Sequence, residues 1–231
     1  MVGTTRTRRR LGGLAALVVV AVTLAACNPD PTGGARPPAP GANVAGYSSS
    51  QRPATRDDVR LSWREGCPVH WSGLTVATVA YWGYDGARHV GDLVVADGVA
   101  ADIREVFRSL YAQRVQIRRI HPVDRYGADD GRSMEANNTS AFNCRPVAGT
   151  STWSEHSRGT AIDINPIQNP YVIGSHVSPA AGRDWTDRSS VVPGMITAGD
   201  PVVGAFAAIG WRWGGYWSSA KDYQHFSLSG R

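Results

Sequence analysis

Cysteine is scarce in this sequence of 231 residues, which contains only Cys27, Cys67 and Cys144. Neither Cys67 nor Cys144 has a second cysteine at the short spacing typical of thiolate-ligated zinc sites. The sequence therefore does not predict a structural zinc site built from cysteines. The Asp- and Gly-rich stretch 124–138 also lacks the residue spacing of an EF-hand, so a calcium site of that type is not expected.

Acidic residues are absent from residues 1–26, where four arginines precede an apolar run that extends from Leu11 to Ala26. A basic start followed by an apolar run is typical of an export signal and not of a folded element. The run leads into Leu24-Ala25-Ala26-Cys27, which resembles the bacterial lipobox, in which the cysteine is acylated. We expect an exported protein with a lipid anchor at Cys27, on the outer face of the bacterial cytoplasmic membrane. The alternatives are a plain secretory signal and an uncleaved anchor.

Beyond residue 26 the chain lacks an excess of one charge, because 20 basic side chains stand against 19 acidic ones. No basic cluster remains that would predict a nucleic-acid partner. In an exported chain, we expect Cys67 and Cys144 to form a single disulfide. A thiol nucleophile is the less favoured alternative, because it would be exposed to oxidation outside the cytoplasm.

Apolar periodicity is also absent from residues 27–55, which are rich in Pro, Gly, Ala and Ser. This composition predicts a flexible tether, followed by one folded domain over residues 56–231. Alternation, helical periodicity and capping residues then indicate the elements of that domain. They predict strands over 74–81, 93–95 and 115–120, a functional polar loop over 124–138, and helices over 97–114 and 202–209.

A histidine and a carboxylate, His156 and Asp163, stand seven residues apart in the second half of the chain. Polar and apolar side chains alternate over residues 160–165, so Asp163 would lie on the face opposite a buried pair of isoleucines. Gly159 lets the loop that carries His156 approach this strand closely, and both side chains could bind one metal ion. The alternative is an ordinary loop and strand with a surface histidine.

A second histidine, His225, lies in another alternating segment, in which Phe226 is expected to be buried while His225 faces the site. Two histidines and one carboxylate leave a coordination position for water, which is typical of a catalytic zinc site. Asp222 is the carboxylate best placed to act as a general base beside this water. Its alternative role is to cap the turn before the strand.

These residues form two motifs joined by Trp213-Gly214-Gly215, namely Ser154-x-His156-x-x-Gly159-x-Ala161-x-Asp163-x-Asn165 and Asp222-x-x-His225-Phe226. With residues 137–145 they resemble the VanY-like D-alanyl-D-alanine carboxypeptidases and L-alanyl-D-glutamate peptidases of the LAS zinc peptidase group, over about residues 93–228. The resemblance implies that His156, Asp163 and His225 bind zinc and that Asp222 is the general base.

The resemblance also implies a basic residue that holds a substrate carboxylate or the developing oxyanion. Arg145 is the candidate, because arginine can bind a carboxylate through two parallel hydrogen bonds. The alternatives are Arg118, Arg119 and Arg158. Ser154 and Asn138 are candidates for substrate binding.

The expected architecture is an α+β fold in which a small antiparallel sheet carries the zinc site and helices flank it. We expect a monomeric peptidase that uses zinc-activated water to cleave peptidoglycan stem peptides, as a carboxypeptidase or an endopeptidase. One alternative is a zinc-containing module that binds cell-wall peptide or protein without catalysis, as hedgehog does within the LAS group. Another is a zinc amidase. Asp222 favours hydrolysis, because a pure binding site needs no base.

Overall fold

A computed structural model describes residues 1–3 and 44–231. Most of the predicted export signal, the predicted acylation site Cys27 and the tether up to residue 43 lie outside the described residues. No helix in the described part is long and apolar enough to cross a membrane.

Three α-helices and nine strands occur in the described part of the chain. The helices are α1 (Ala100–Ala112), α2 (Asp130–Glu135) and α3 (Pro201–Ala208). The strands are β1 (Ser49–Pro53), β2 (Leu74–Trp82), β3 (Arg88–Ala96), β4 (Ala161–Asp163), β5 (Tyr171–Ile173), β6 (His176–Ser178), β7 (Arg212–Trp213), β8 (Lys221–Asp222) and β9 (His225–Ser227). They form three small antiparallel sheets, so the expected α+β class is confirmed.

The first sheet, in the order β1-β2-β3, contains a hairpin of β2 and β3, the elements in which the strands predicted over 74–81 and 93–95 lie. β2 and β3 pair from Leu74 opposite Ala96 to Trp82 opposite Arg88. In the turn, the Gly83 N–H donates to the Ala87 carbonyl at 2.8 Å. β3 is longer than the predicted strand over 93–95, because its first half is polar and partly exposed and shows little apolar alternation.

β1 corrects the predicted boundary of the tether, since it lies inside the segment 27–55. It pairs with β2 from Ser49 opposite Val79 to Pro53 opposite Thr75. Four of its five residues are exposed, so the strand is held mainly by its pairing with β2 and leaves no apolar pattern in the sequence. The folded part therefore begins before residue 56.

α1 confirms the helix predicted over 97–114, although its first turn, Asp97–Val99, is a 3-10 helix. The helix packs against β2 and α3. Its predicted apolar face is buried, including Ile103, Val106, Phe107 and Leu110. These side chains form the centre of the larger hydrophobic core.

The strand predicted over 115–120 is wrong. This segment makes isolated bridges, from Gln116 to Trp82 and from Ile120 to Thr139, and forms no continuous ladder in the structure. Apolar alternation over six residues predicts which side chains are buried, but it does not provide a partner strand.

The loop predicted over 124–138 is also partly wrong, because it contains a 3-10 helix, Val123–Tyr126, and the short helix α2. Asp129 is the N-cap of α2, and its side chain accepts a hydrogen bond from the Arg132 N–H at 3.0 Å. This cap is a local helix signal that the polar composition of the segment concealed.

The second sheet, in the order β4-β9-β7, brings distant parts of the chain together. Ile162 of β4 stands opposite Phe226 of β9, and both are fully buried in the core that contains α1. Asp163 and His225 are the next opposed pair. Because neighbouring residues of a strand point to opposite faces, these two side chains face away from that core.

α3 supports the strand that carries His225. Asp200 is the N-cap of this helix, and its Oδ1 accepts a hydrogen bond from the Val202 N–H at 2.8 Å. Phe206, which is fully buried, stacks on Phe226 of β9 with ring centroids 4.3 Å apart. The helix therefore fixes the buried face of β9.

Cys67 and Cys144 form the expected disulfide, with Cα atoms 5.9 Å apart. The Cys144 N–H also donates to the Ser62 carbonyl at 3.0 Å. Two residues earlier, the Phe142 N–H donates to the Val94 carbonyl of β3, also at 3.0 Å. The disulfide thus ties the loop that precedes β2 to the segment that leads into the metal motif.

Candidate metal centre and active site

The three side chains predicted as metal ligands meet in one buried group. His156 lies in the 3-10 helix Glu155–Arg158, Asp163 ends β4, and His225 begins β9. One donor atom from each residue lies within 4.8 Å of the others. The group can therefore hold a metal ion.

The loop of His156 is fixed by the residues at each end of its short helix. The Ser154 hydroxyl accepts a hydrogen bond from the His156 N–H at 3.3 Å. Gly159 ends the helix with a φ of 70°, a conformation that favours glycine. A Cβ at Gly159 would lie 2.6 Å from the backbone nitrogen of Ala96, so this close approach to β3 also requires glycine.

The distances between the donor atoms are short. His225 Nδ1 lies 3.1 Å from Asp163 Oδ1, and His156 Nε2 lies 3.2 Å from Asp163 Oδ2. The two nitrogens are 3.3 Å apart. Each of the three residues is at most 7% exposed. Lone-pair atoms that converge in this way, away from water, are expected to share a cation or a proton.

The far nitrogen of each imidazole donates a hydrogen bond to a backbone carbonyl. His156 Nδ1 donates to Ala141 at 2.6 Å, and His225 Nε2 donates to Arg231 at 2.9 Å. Such bonds orient metal-binding histidines and determine which nitrogen keeps its proton. They leave His156 Nε2 and His225 Nδ1 as the nitrogens available to a metal.

The charges of the centre are strongly coupled. Burial by itself would raise the pKa of the Asp163 carboxyl, but His156 and His225 hold that pKa well below its usual range. Burial would lower the pKa of His225, whereas its hydrogen bond to Asp163 raises that pKa to about 9. Metal binding requires His225 Nδ1 without a proton, so a bound metal would compete with the protonated form that Asp163 favours.

Asp222 lies on β8, opposite Tyr171 of β5. Its Oδ1 is buried and has no hydrogen-bond partner among the described residues. Burial raises the pKa of Asp222 to about 7, although nearby His225 acts in the opposite direction. A carboxylate with such a pKa can take up and return a proton at neutral pH. The unpaired oxygen favours the predicted base over a purely capping role.

Arg145 is bound to the loop of His156 and paired with α2. Its N–H donates to Ser157 Oγ at 2.9 Å, and this hydroxyl donates to the Arg145 carbonyl at 2.6 Å. Its Nη2 lies 2.7 Å from Asp130 Oδ2, while Nε is buried without a partner among the described residues. The ion pair holds the guanidinium in place, and its contact with substrate stays a prediction.

The three alternative arginines have different surroundings. The Arg158 side chain is 52% exposed, 3.8 Å from Glu155. Arg119 Nε is buried and has no partner in the described part of the chain. The Arg118 N–H donates to Asn165 Oδ1 at 2.9 Å. The backbone of Arg145 is hydrogen-bonded to Ser157, the residue next to His156, so Arg145 lies beside the centre and stays the candidate.

Ser154 and Asn138, the predicted substrate-binding residues, both serve the fold. Ser154 caps the helix of His156. Asn138 Oδ1 accepts from the His121 N–H, and its Nδ2 donates to the His121 carbonyl and to Ser133 Oγ, each at 3.0 Å. Substrate binding by either residue stays a prediction.

The three candidate metal ligands and Asp222 all lie in one segment of the chain that matches a known family. Residues 148–228 match the D-alanyl-D-alanine carboxypeptidase family. No curated protein and no solved structure matches the chain. The family match confirms the resemblance over these residues and supports a peptidase. It does not extend to residues 93–147, which the sequence motifs also included.

Two backbone groups at the centre were not predicted from the sequence. The carbonyl of Ala141 lies before the segment that matches the carboxypeptidase family, and that of Arg231 lies after it. Every residue has a carbonyl, so no side-chain pattern could indicate these two. Asn143, whose backbone N–H donates to the His156 carbonyl at 3.2 Å, is also buried, and its Nδ2 has no partner among the described residues.

Proposed function

We propose that this protein is a zinc peptidase that hydrolyses the stem peptides of peptidoglycan. The observation that carries the proposal is the convergence of His156, Asp163 and His225, with the unpaired carboxylate oxygen of Asp222 in the same buried region. The match to the D-alanyl-D-alanine carboxypeptidase family supports the peptide bond as the target.

The donor set fits zinc, because two imidazoles and one carboxylate are a common catalytic set that leaves a coordination position for water. His156 Nε2, His225 Nδ1 and the Asp163 carboxylate would hold the ion. The carbonyls of Ala141 and Arg231 would fix the two rings. When bound, zinc supplies a Lewis acid and lowers the pKa of a water molecule towards about 7.

The chain's own residues would move the proton and hold the substrate. Asp222 Oδ1 has no hydrogen-bond partner among the described residues. It would accept a proton from the attacking water and return it to the leaving amine. Arg145 would bind a substrate carboxylate or the oxyanion that develops at the scissile carbonyl. The Arg145 side chain is 28% exposed, so part of its guanidinium is open to a ligand.

Mass spectrometry of purified muropeptides tests the proposal, using residues 44–231 loaded with zinc so that β1 is kept. We expect hydrolysis that a chelator abolishes. Asp222→Ala should slow hydrolysis by about 10²–10⁴-fold, the usual contribution of a general base, without loss of zinc. Asp102→Ala, at an exposed aspartate of α1, is the matched control and should retain full activity.

The products decide between the remaining alternatives. Release of a terminal D-Ala identifies a carboxypeptidase, and a cut inside the stem identifies an endopeptidase. Cleavage of the lactyl-amide bond would identify an amidase instead. A zinc-loaded protein that binds muropeptide but leaves it intact would contradict the peptidase proposal and support a non-catalytic binding module.

We also propose that the protein is exported and anchored by a lipid at Cys27, as the lipobox-like sequence Leu24-Ala25-Ala26-Cys27 indicates. Labelling of cells with a fatty-acid analogue should mark the wild-type protein. Cys27→Ser should abolish the label and release the protein from the membrane fraction. A Cys27→Ser protein that still carries the label would contradict this assignment.

A further inference from the structure

Residues 229–231, which we call the strap, contact His225 through the ring nitrogen that does not face Asp163. His225 Nε2 donates to the Arg231 carbonyl at 2.9 Å, and Ser227 Oγ donates to the same oxygen at 2.9 Å. Within the strap, the Arg231 N–H donates to Ser229 Oγ at 3.3 Å. One main-chain oxygen of Arg231, the last residue of the sequence, therefore joins the strap to both polar residues of β9.

Trp217 anchors the strap to the wall of the site. Its indole N–H donates to the Gly230 carbonyl at 2.9 Å, and its ring centroid lies 5.7 Å from that of His225. The strap also lies close to β7, because a Cβ at Gly230 would come within 2.6 Å of Arg212 Cδ and 3.2 Å of Arg212 Cβ. Two neighbouring elements thus determine where the Arg231 carbonyl lies.

The position of this carbonyl affects the imidazole directly. A metal-bound imidazole keeps one proton, which must then lie on the nitrogen that does not bind the metal. Because the Arg231 carbonyl accepts a hydrogen bond from Nε2, that proton is held on Nε2 and Nδ1 faces Asp163 and His156. His225 is 6% exposed, so water is poorly placed to replace the carbonyl.

We propose that the strap, anchored by Trp217, is a positioning element that holds His225 in the orientation and tautomer required for metal binding. The inference rests on the proposed zinc function of this centre. Its residues do not contact the converging donor atoms, and they act through His225 alone. The bond to His225 comes from the main chain of Arg231, so the Arg231 side chain is not required for it.

The first test measures zinc affinity of the full-length chain by competition with a chromophoric chelator. A chain that ends at Leu228 should bind zinc on the order of 10- to 100-fold more weakly, the usual loss when an outer partner of a metal ligand is removed. Arg231→Ala is the matched control, since it keeps the carbonyl, and its affinity should equal that of the wild type. Trp217→Phe keeps an aromatic ring but loses the N–H, and should weaken binding to a smaller extent.

A second measurement follows the His225 ring itself. In the zinc-loaded wild type, NMR should show a slowly exchanging Nε2–H proton that is hydrogen-bonded to a carbonyl. In the chain that ends at Leu228, this proton should exchange rapidly with water. Urea unfolding checks that each variant is folded, and Trp217→Phe provides the comparison if the shortened chain is not.

The outcomes distinguish a failure of the inference about the strap from a failure of the proposed zinc function. Equal zinc affinity and an equally protected Nε2–H in wild type, shortened chain and Trp217→Phe would overturn the inference and leave the proposed function intact. If the wild type itself binds no zinc, the proposed function fails and the inference fails with it. Weaker binding by Arg231→Ala, equal to that of the shortened chain, would assign the effect to the side chain and so overturn the role of the carbonyl.

Discussion

At the scale of single residues, the space beside Asp222 depends on Gly214. A Cβ at this position would lie 2.6 Å from the backbone oxygen of Asp222 and 2.9 Å from its Cβ. Neither atom can rotate away, so Gly214→Ala should shift β8 and move the base. We expect kcat for muropeptide hydrolysis to fall by about 10²-fold, since a displacement of about 1 Å can have that effect. Zinc affinity should change little, because the ligands lie on other elements.

Gly204→Ala is the matched control for this substitution. A Cβ at Gly204, in α3, has no atom within 4 Å. We expect an unchanged kcat and an increase of about 0.5–1 kcal/mol in the free energy of unfolding, because alanine favours the helix. Equal kcat values for the two alanine variants would contradict the positioning of Asp222 by Gly214.

The site could be predicted from the sequence where its chemistry lies in side chains. Asp163 and His225 were found because each falls within a short alternating segment, and His156 because Gly159 lets its loop approach the strand of Asp163. Their meeting follows from the register that sets Asp163 opposite His225, and that register is fixed by the buried neighbours Ile162 and Phe226. The backbone carbonyls that orient the rings could not be predicted, because their positions depend on tertiary structure.

At the scale of elements, an ion pair joins β1 to the turn that follows it. The Asp58 carboxylate lies 2.7 Å from each terminal nitrogen of Arg52 and also accepts two hydrogen bonds from Thr55. The hydrogen bonds from Arg52 lower the pKa of Asp58 further than those from Thr55. Arg52 is 53% exposed, so solvent limits the contribution of this pair to stability.

Asp58→Asn should lower the free energy of unfolding by about 0.5–1 kcal/mol at pH 7. Because the pKa of Asp58 is lower in the folded than in the unfolded chain, its contribution is complete above about pH 4 and is lost as the pH falls further. The difference between wild type and variant should therefore shrink below pH 4. Urea unfolding of both proteins at a series of pH values between about 2 and 7 measures this difference.

Asp57→Asn, at the exposed neighbouring residue, should leave both the stability and its pH dependence unchanged. About pH 3 and about pH 7 lie on the two sides of the usual carboxyl pKa. If the free energies of unfolding of wild type and Asp58→Asn differed by the same amount at both pH values, the role of the ionised carboxylate would be contradicted.

Elements were predictable where their own residues supply the pattern. α1 has one apolar face and β2 is apolar along most of its length, and both were found. β1 was missed because four of its five residues are exposed and only the pairing with β2 defines it. The segment 115–120 was misassigned for the opposite reason, since its alternation has no continuous partner in the structure.

At the scale of the whole molecule, the disulfide links parts of the chain that are 77 residues apart. Closing so long a loop restricts the unfolded chain, so the bond should contribute about 2–4 kcal/mol to the free energy of unfolding. We expect the double variant Cys67→Ala with Cys144→Ala to unfold at a correspondingly lower urea concentration.

A reducing agent provides the control for the disulfide. It should lower the urea midpoint of the wild type to near that of the double variant, and leave the double variant unchanged. An oxidised and a reduced wild type with the same midpoint would contradict a contribution of the disulfide to stability.

The candidate metal ligands lie far apart along the chain, so they are translated at different times. His225 follows Asp163 by 62 residues, and β9 must pair with β4 before the third donor is in place. A nascent chain that ends between these strands, or a copy in which they fail to pair, contains only two of the three donors. The proposed hydrolytic activity would therefore appear only after translation has passed β9 and this part of the chain has folded.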